Sequence, residues 1–157
     1  AWLKGLSPKE NREVPPLVRE TAFRLKKDFP DTVMLINGQI ASLDEAKALV
    51  DAGMDGVMVG RAAYQNPWML AGVDEVLYGV EHDVTRLECV HRMTAYLEEN
   101  YRDDVHAIRA VARHVNGLAQ GLPGARRWRQ VLSDPAAIKD RGAGLIQYAW
   151  EEAFGEG

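Results

Sequence analysis

The sequence predicts a parallel α/β part up to about residue 71, a short hinge, and an all-helical part behind it. Three observations predict this. Two short apolar runs, 32–36 and 56–59, lead into Asn37-Gly38 and Gly60-Arg61 and are separated by one helical stretch. Neither run alternates apolar with polar residues, which marks strands covered on both faces in a parallel sheet. After residue 60 no strand candidate occurs, whereas apolar residues keep recurring at helical spacing.

The elements follow in order. Residues 1–17 read as a loop, punctuated by Gly5, Ser7-Pro8, Asn11 and Pro15-Pro16. Residues 18–28 predict a helix, with Val18, Ala22 and Leu25 at spacings of four and three, closed by Phe29-Pro30. Ser42-Leu43-Asp44-Glu45 is a capping box. In it the serine hydroxyl accepts from the Glu45 amide while the glutamate reaches back. It opens a helix with Ala46, Leu49 and Val50 inward, which Gly53 ends. A second capping box, Thr85-Arg86-Leu87-Glu88, opens a helix with Leu87, Val90, Thr94 and Leu97 on one face. Val105, Ile108, Ala112 and Val115 mark the next, ending near Gly117. Gly121-Leu122-Pro123-Gly124 is a break, and shorter helices are expected at 125–132 and 143–153.

Composition bounds the function. The 157 residues are 46% hydrophobic and 27% charged, with a mean hydropathy of −0.28, which is globular composition. No apolar run approaches the ~20 residues of a membrane span, and no signal peptide or lipidation motif is recognisable, so cytoplasm and no membrane partner are expected. A single cysteine, Cys89, excludes an internal disulfide framework and a multi-cysteine zinc site. No two His, Cys or carboxylates stand at metal-ligand spacing, so no metal is expected. Net charge is −4, but it is blocked: residues 4–27 carry seven Lys/Arg against three Glu, residues 74–104 nine acids against three Arg, and residues 109–129 five Arg and no acid. Two basic blocks around an acidic one suit a face offered to a polyanion, or else a set of solvated helix faces.

The pair of strand ends is where chemistry is expected. Asn37-Gly38-Gln39 and Gly60-Arg61 each place a glycine at the carboxyl end of a strand, where backbone can approach a ligand and its amides can face an anion. Two such ends joined by one helix are how the last strands of a (β/α)8 barrel hold a phosphate, and Arg61 adds a charge-assisted donor. Two strands alone leave backbone groups unpaired, so the remaining strands are expected upstream of Ala1. The start on Ala1 rather than Met is read the same way, as a fragment.

Leu6-Ser7-Pro8-Lys9-Glu10-Asn11-Arg12, Pro15-Pro16-Leu17, Ile36-Asn37-Gly38 and above all the run from Gly56 to Trp68 (GVMVGRAAYQNPW) resemble the tRNA-dihydrouridine synthases, the A-type bacterial subfamily in particular. His114-Val115-Asn116-Gly117-Leu118 and Pro123-Gly124-Ala125-Arg126-Arg127-Trp128-Arg129 are similar to the tRNA-binding domain of that family. The resemblance implies an FMN enzyme that reduces uridine 20 or 20a of the tRNA D-loop to dihydrouridine with NADPH. Reduced flavin would deliver a hydride to the ring and a cysteine acid would protonate the neighbouring carbon. It implies residues 1–71 as the carboxyl-terminal part of the FMN-binding barrel, 72–84 as a hinge and 85–157 as the helical tRNA-binding domain. Asn37, Gly38 and Gln39 fall on the first FMN phosphate turn, Gly60 and Arg61 on the second. Gln39 stands where the family has a second glycine, which is compatible with a side chain only if its dihedrals are ordinary.

Lys9, Arg12, Arg126 and Arg129 fall on positions that contact tRNA. Arg126 and Arg129, three apart, share a helix face with Trp128 turned elsewhere. The catalytic cysteine and the groups near the flavin ring are expected upstream of Ala1; Cys89 reads as an ordinary helix residue. His82 reads as solvated, His91 as off the face of Cys89, His106 as a helix-start residue, and His114 as a helix-end residue within reach of RNA phosphate. Trp2, Trp68, Trp128 and Trp150 read as core. The whole protein is expected to be monomeric and this fragment to be inert alone. Two other readings stay open: a different phosphate-binding barrel flavin oxidoreductase, and a truncated RNA-binding module.

Overall fold

A computed structural model describes residues 5, 7, 9, 10, 16–81 and 83–155. Helix α1 (Arg19–Asp28), strand β1 (Leu35–Asn37), helix α2 (Leu43–Asp51), strand β2 (Gly56–Met58) and the short helix α3 (Arg61–Gln65) form the first half. The two strands pair in parallel, Leu35 opposite Gly56 and Asn37 opposite Met58, with α2 as the crossover. Ile36, Ile40, Ala46, Leu49 and Met54 make its core, flanked by Ala22, Phe23, Val57 and Val59.

Two expectations are corrected here. The strands are shorter than expected, and β1 is covered on one face only: Ile36 is buried, while Leu35 is 68% and Val33 74% exposed. Helix α1 lies against this small core through Ala22 and Phe23, leaving Val18 and Leu25 exposed. A sheet two strands wide spans about 5 Å, half a helix diameter, so it covers only part of the apolar stripe. At the amino-terminal edge of the sheet Lys26 ties the layers together. Its Nζ donates to the carbonyls of Pro30 and Thr32 and pairs with Asp55 at 2.7 Å, while Asp55 also accepts from the Met34 amide.

A 3₁₀ turn (Pro67–Gly72) leads into α4 (Val73–Tyr78), which packs on α2 and is closed by Gly79 at φ +67°. This helix occupies much of the stretch 72–84. The second half consists of α5 (Arg86–Asn100), α6 (Val105–Val115), a 3₁₀ turn (Asn116–Ala119), α7 (Ala125–Ser133), α8 (Pro135–Arg141), a 3₁₀ turn (Gly142–Gly144) and α9 (Leu145–Phe154). The Thr85 hydroxyl accepts from the Glu88 amide at 3.1 Å, as the capping box predicts. Val90, Thr94 and Leu97 of α5 and Ile108 and Ala112 of α6 are buried; Val105, expected on the same face, is exposed because it sits at the first turn of α6, beyond the neighbouring helices. Trp128 lies at the centre, fully buried, its indole N–H donating to the Asn116 carbonyl at 3.1 Å and its ring edge-on to Trp150.

Helix α8 is an addition to the expected elements. Asp134 caps it by accepting from the Ala136 amide at 2.9 Å, and Pro135 occupies its first position. No strand occurs after residue 60 among the described residues.

Candidate functional site

The parallel register decides where the two glycine turns lie. Because Asn37 is opposite Met58, the Gly38-Gln39 and Val59-Gly60 segments leave the sheet side by side at its carboxyl edge. Asn37, Gly38, Gln39, Gly60 and Arg61 therefore share one edge, with Asn37, Gln39 and Arg61 exposed. Gly38 has φ +139°, so its conformation demands glycine; a Cβ there would also stand 2.4 Å from Leu17 Cδ1, the end of an exposed side chain that can turn aside. Gly60 is less constrained: the nearest atom to its Cβ position is Met58 sulfur at 3.5 Å.

Gln39 corrects the expectation of ordinary dihedrals. It takes φ +51°, the single positive φ of a non-glycine among the described residues. Left-handed backbone costs an L-residue about 1–2 kcal/mol. Neighbouring groups hold the turn in that shape. Arg19, at the start of α1, donates from Nη2 to the Gly38 carbonyl at 2.9 Å and to Glu45 Oε1 at 2.6 Å. The other carboxylate oxygen of Glu45 accepts from the Ala41 amide at 2.9 Å, one residue before the Ser42 amide that a capping box would use. The Ser42 hydroxyl still accepts from the Glu45 amide at 3.1 Å. The Ala41 amide first, and then Arg19, hold the Glu45 carboxyl below the usual range. Leu17, Val18, Arg19, Glu20, Gln39 and Glu45 line an open cleft of about 480 Å³ beside the turn. Arg19 and Glu45 are the site residues that sequence reasoning missed.

From Gly60 onward the chain becomes the seam between the two halves. The Tyr64 hydroxyl is 2.9 Å from His114 Nδ1, and the rings meet edge to face. A Cβ on Gly117 would stand 2.4 Å from the Gln65 carbonyl oxygen and 2.8 Å from Pro67 Cδ. Trp68 packs on the helical core, and the Arg86 guanidinium lies 4.3 Å from its ring centroid. Arg86 Nε donates to the Leu118 carbonyl at 2.9 Å, and burial lowers the pKa of this guanidinium. His114, expected near a helix end, is thus also a seam residue.

The basic residues divide clearly. Arg126 and Arg129 are exposed on α7 with Trp128 turned inward, as their spacing predicts, and among the described residues no acid pairs with either. Arg127, between them, is bound to Glu152, which raises its pKa and lowers that of the acid. Lys9 is exposed in a turn beside Glu10, whose carboxylate accepts from the Ser7 amide and hydroxyl. Arg12, Trp2 and His82 lie outside the described residues. Cys89 is half-buried against the helical core. Among the described residues no three His, Cys, Asp or Glu are grouped as a metal site, and no helix is long and apolar enough to cross a membrane.

The family described as Dihydrouridine synthase (Dus) matches residues 3–153. A tRNA-dihydrouridine(20/20a) synthase of Vibrio cholerae is 44% identical over 150 residues, which is 95% of this chain and 45% of that protein. The protein of the same name from Escherichia coli K12 is 47% identical over 150 residues, 95% of this chain and 43% of its own length. That of Shewanella oneidensis is 46% identical over 152 residues, 96% and 45%. The chain thus spans under half the length of the curated relatives it matches. A family match over residues 3–153, almost the whole chain, makes this chain a member of the dihydrouridine synthase family.

Proposed function

We propose that the chain supplies the last two βα units of an FMN-binding (β/α)8 barrel (1–71), a hinge (72–84) and a helical tRNA-binding domain (85–157). The enzyme it serves is a cytoplasmic, monomeric tRNA-dihydrouridine synthase acting on uridines 20 and 20a with NADPH as reductant. The observation that carries this reading is the pair of glycine-bearing turns side by side at one sheet edge, next to Arg61.

The residues present fit the phosphate of FMN. Gly38 leaves no side chain between the turn and a ligand, and Arg61 is exposed beside the second turn. Asn37, Gly38, Gln39, Gly60 and Arg61 would hold the phosphate. Bound FMN supplies the hydride for reduction of the uracil ring. This chain's residues anchor the phosphate end, while Lys9, Arg12, Arg126 and Arg129 hold tRNA phosphates and set its register without reading bases. Cys89 has no acid role in this reading, being packed in α5; the proton donor belongs to residues outside this chain.

One pair of variants in the natural protein that contains this chain tests both halves of the proposal. Arg61→Ala should lower FMN affinity about tenfold or more, the worth of a charged hydrogen bond, and leave tRNA affinity nearly unchanged. Arg126→Ala with Arg129→Ala should leave FMN bound and reduce the salt dependence of tRNA binding by about two phosphate contacts. Equal FMN occupancy in wild type and Arg61→Ala would refute the phosphate assignment, and an unchanged salt slope would remove α7 from the RNA surface.

A further inference from the structure

The turn that carries Gln39 is held in a costly shape by two side chains from different helices. Arg19 opens α1 and Glu45 lies in the first turn of α2, 26 residues away in sequence and 2.6 Å away in space. Between them they engage the Gly38 carbonyl and the Ala41 amide, and the Glu45 amide engages Ser42. The connection from β1 to α2 is thus tied at three points.

The orientation of one peptide follows from this. No cis peptide occurs among the described residues, so the Gly38 carbonyl and the Gln39 N–H point in opposite directions. With the carbonyl fixed on Arg19, the Gln39 N–H faces away from that guanidinium, and no described residue accepts from it. That is the arrangement an anion requires: a free N–H toward it and the carbonyl turned away. The alternative is a flip of the Gly38–Gln39 peptide. Glycine rotates freely, and the flip would return Gln39 from φ +51° to ordinary backbone while turning the carbonyl toward the anion position. Backbone preference at Gln39 therefore favours the wrong orientation, and a guanidinium on the carbonyl opposes it.

We infer that Arg19 and Glu45 are positioning residues that hold the Gly38–Gln39 peptide in its anion-receiving orientation, replacing with a side-chain clamp the conformational freedom that a second glycine would provide at position 39. The inference rests on the phosphate-site reading above. It casts Arg19 as acting through the turn: Nη2 serves the Gly38 carbonyl and Glu45, while Nε is buried without a partner among the described residues.

The test compares FMN with riboflavin, which lacks the phosphate, as ligands of the natural protein that contains this chain, by flavin fluorescence quenching. Wild type should prefer FMN. Arg19→Met should lose about tenfold of that preference, with riboflavin affinity unchanged. Glu45→Gln, which leaves one acceptor oxygen for the two donors and removes the charge holding Arg19, should move the same way and keeps the test decisive where Arg19→Met does not fold. Adding Gln39→Gly to either variant should restore most of the preference, because glycine carries no penalty at positive φ. A purely structural role would lower both ligands together and show no such rescue. If wild type binds FMN and riboflavin equally, the phosphate site is overturned and the clamp with it. If wild type prefers FMN and both clamp variants keep the whole preference, the clamp alone is overturned.

Discussion

Replacing Gly117 with alanine tests the seam between the two halves most directly. Gly117 lies in the 3₁₀ turn after α6, pressed against the chain at Gln65 and Pro67. The added Cβ would meet the Gln65 carbonyl oxygen at 2.4 Å, Pro67 Cδ at 2.8 Å and the Gln65 carbonyl carbon at 3.1 Å, where ordinary contacts begin near 3.4 Å. Two of the three atoms are backbone and the third belongs to a ring, so none can rotate aside and the seam has to open by about 1 Å. Overfilling a packed site costs about 1–3 kcal/mol, and a backbone neighbour puts this case at the upper end. Alanine returns about 0.5–1 kcal/mol through the unfolded chain, leaving a net loss of about 2 kcal/mol. With a urea slope of about 2 kcal/mol per molar, the midpoint should fall by about 1 M. Tryptophan fluorescence reads this well, because Trp128 is fully buried. Gly144→Ala is the control: nothing lies within 4 Å of its Cβ position and its φ is −76°, so its midpoint should hold or rise slightly. A Gly117→Ala midpoint equal to that of Gly144→Ala would refute the packing of the seam.

Two further outcomes are expected. Asp134→Ala should cost about 1 kcal/mol by uncapping α8 and should speed amide exchange at Ala136, the N–H that Asp134 accepts from; unchanged exchange there would show that Pro135 alone starts the helix. The Glu45 and Asp55 carboxyls are held below their ordinary values of 4.5 and 3.8, Glu45 mainly by the Ala41 amide and Asp55 mainly by Lys26. The unfolded state therefore takes up these protons first, so stability that is full above the ordinary values is lost as pH falls through the lower folded ones. Urea midpoints followed downward from about pH 6 should show that loss, and Asp55→Asn should remove part of it; a wild-type midpoint flat through this range would contradict both pairings.

What was legible in the sequence is what depends on near neighbours along the chain. Both capping serine and threonine hydroxyls, three residues before their glutamates, do bond as their spacing predicts. The glycine strand ends and the inward turn of Trp128 between Arg126 and Arg129 were equally local. Helix α8 went unpredicted although an aspartate followed by proline is a helix-start signal, because seven residues carry too little periodicity to stand out. Four features depended on distance. The Arg19–Glu45 pair joins residues 26 apart, and Tyr64–His114 residues 50 apart, and neither residue type announces its partner. The one-sided burial of β1 depends on what the sheet packs against, which an apolar run does not specify. The left-handed backbone at Gln39 was the least legible of all, because glutamine reads as ordinary backbone and the groups that hold it lie on two other segments.

The run from Gly60 to Trp68 is constrained from opposite sides at its two ends. At its start, Gly60 and Arg61 sit on the sheet edge that the phosphate reading needs. At its end, Trp68 belongs to the core of the helical half, under the guanidinium of Arg86. Only seven residues lie between Gly60 and Trp68, and Tyr64, Gln65 and Pro67 among them are engaged by His114 and Gly117 of the helical half. Packed residues join the two surfaces, so displacement at Gly117 would be passed back toward Arg61 through one turn of helix. On the proposed reading, a tRNA held by Arg126 and Arg129 would then meet the flavin edge at a distance set in part by this backbone packing. Position matters at this level because a misplacement of about 1 Å, the amount by which Gly117→Ala opens the seam, can cost a reaction about a hundredfold in rate. Tight tRNA binding with slow reduction in that variant is therefore the expected combination; normal turnover with an opened seam would show that the two surfaces work independently.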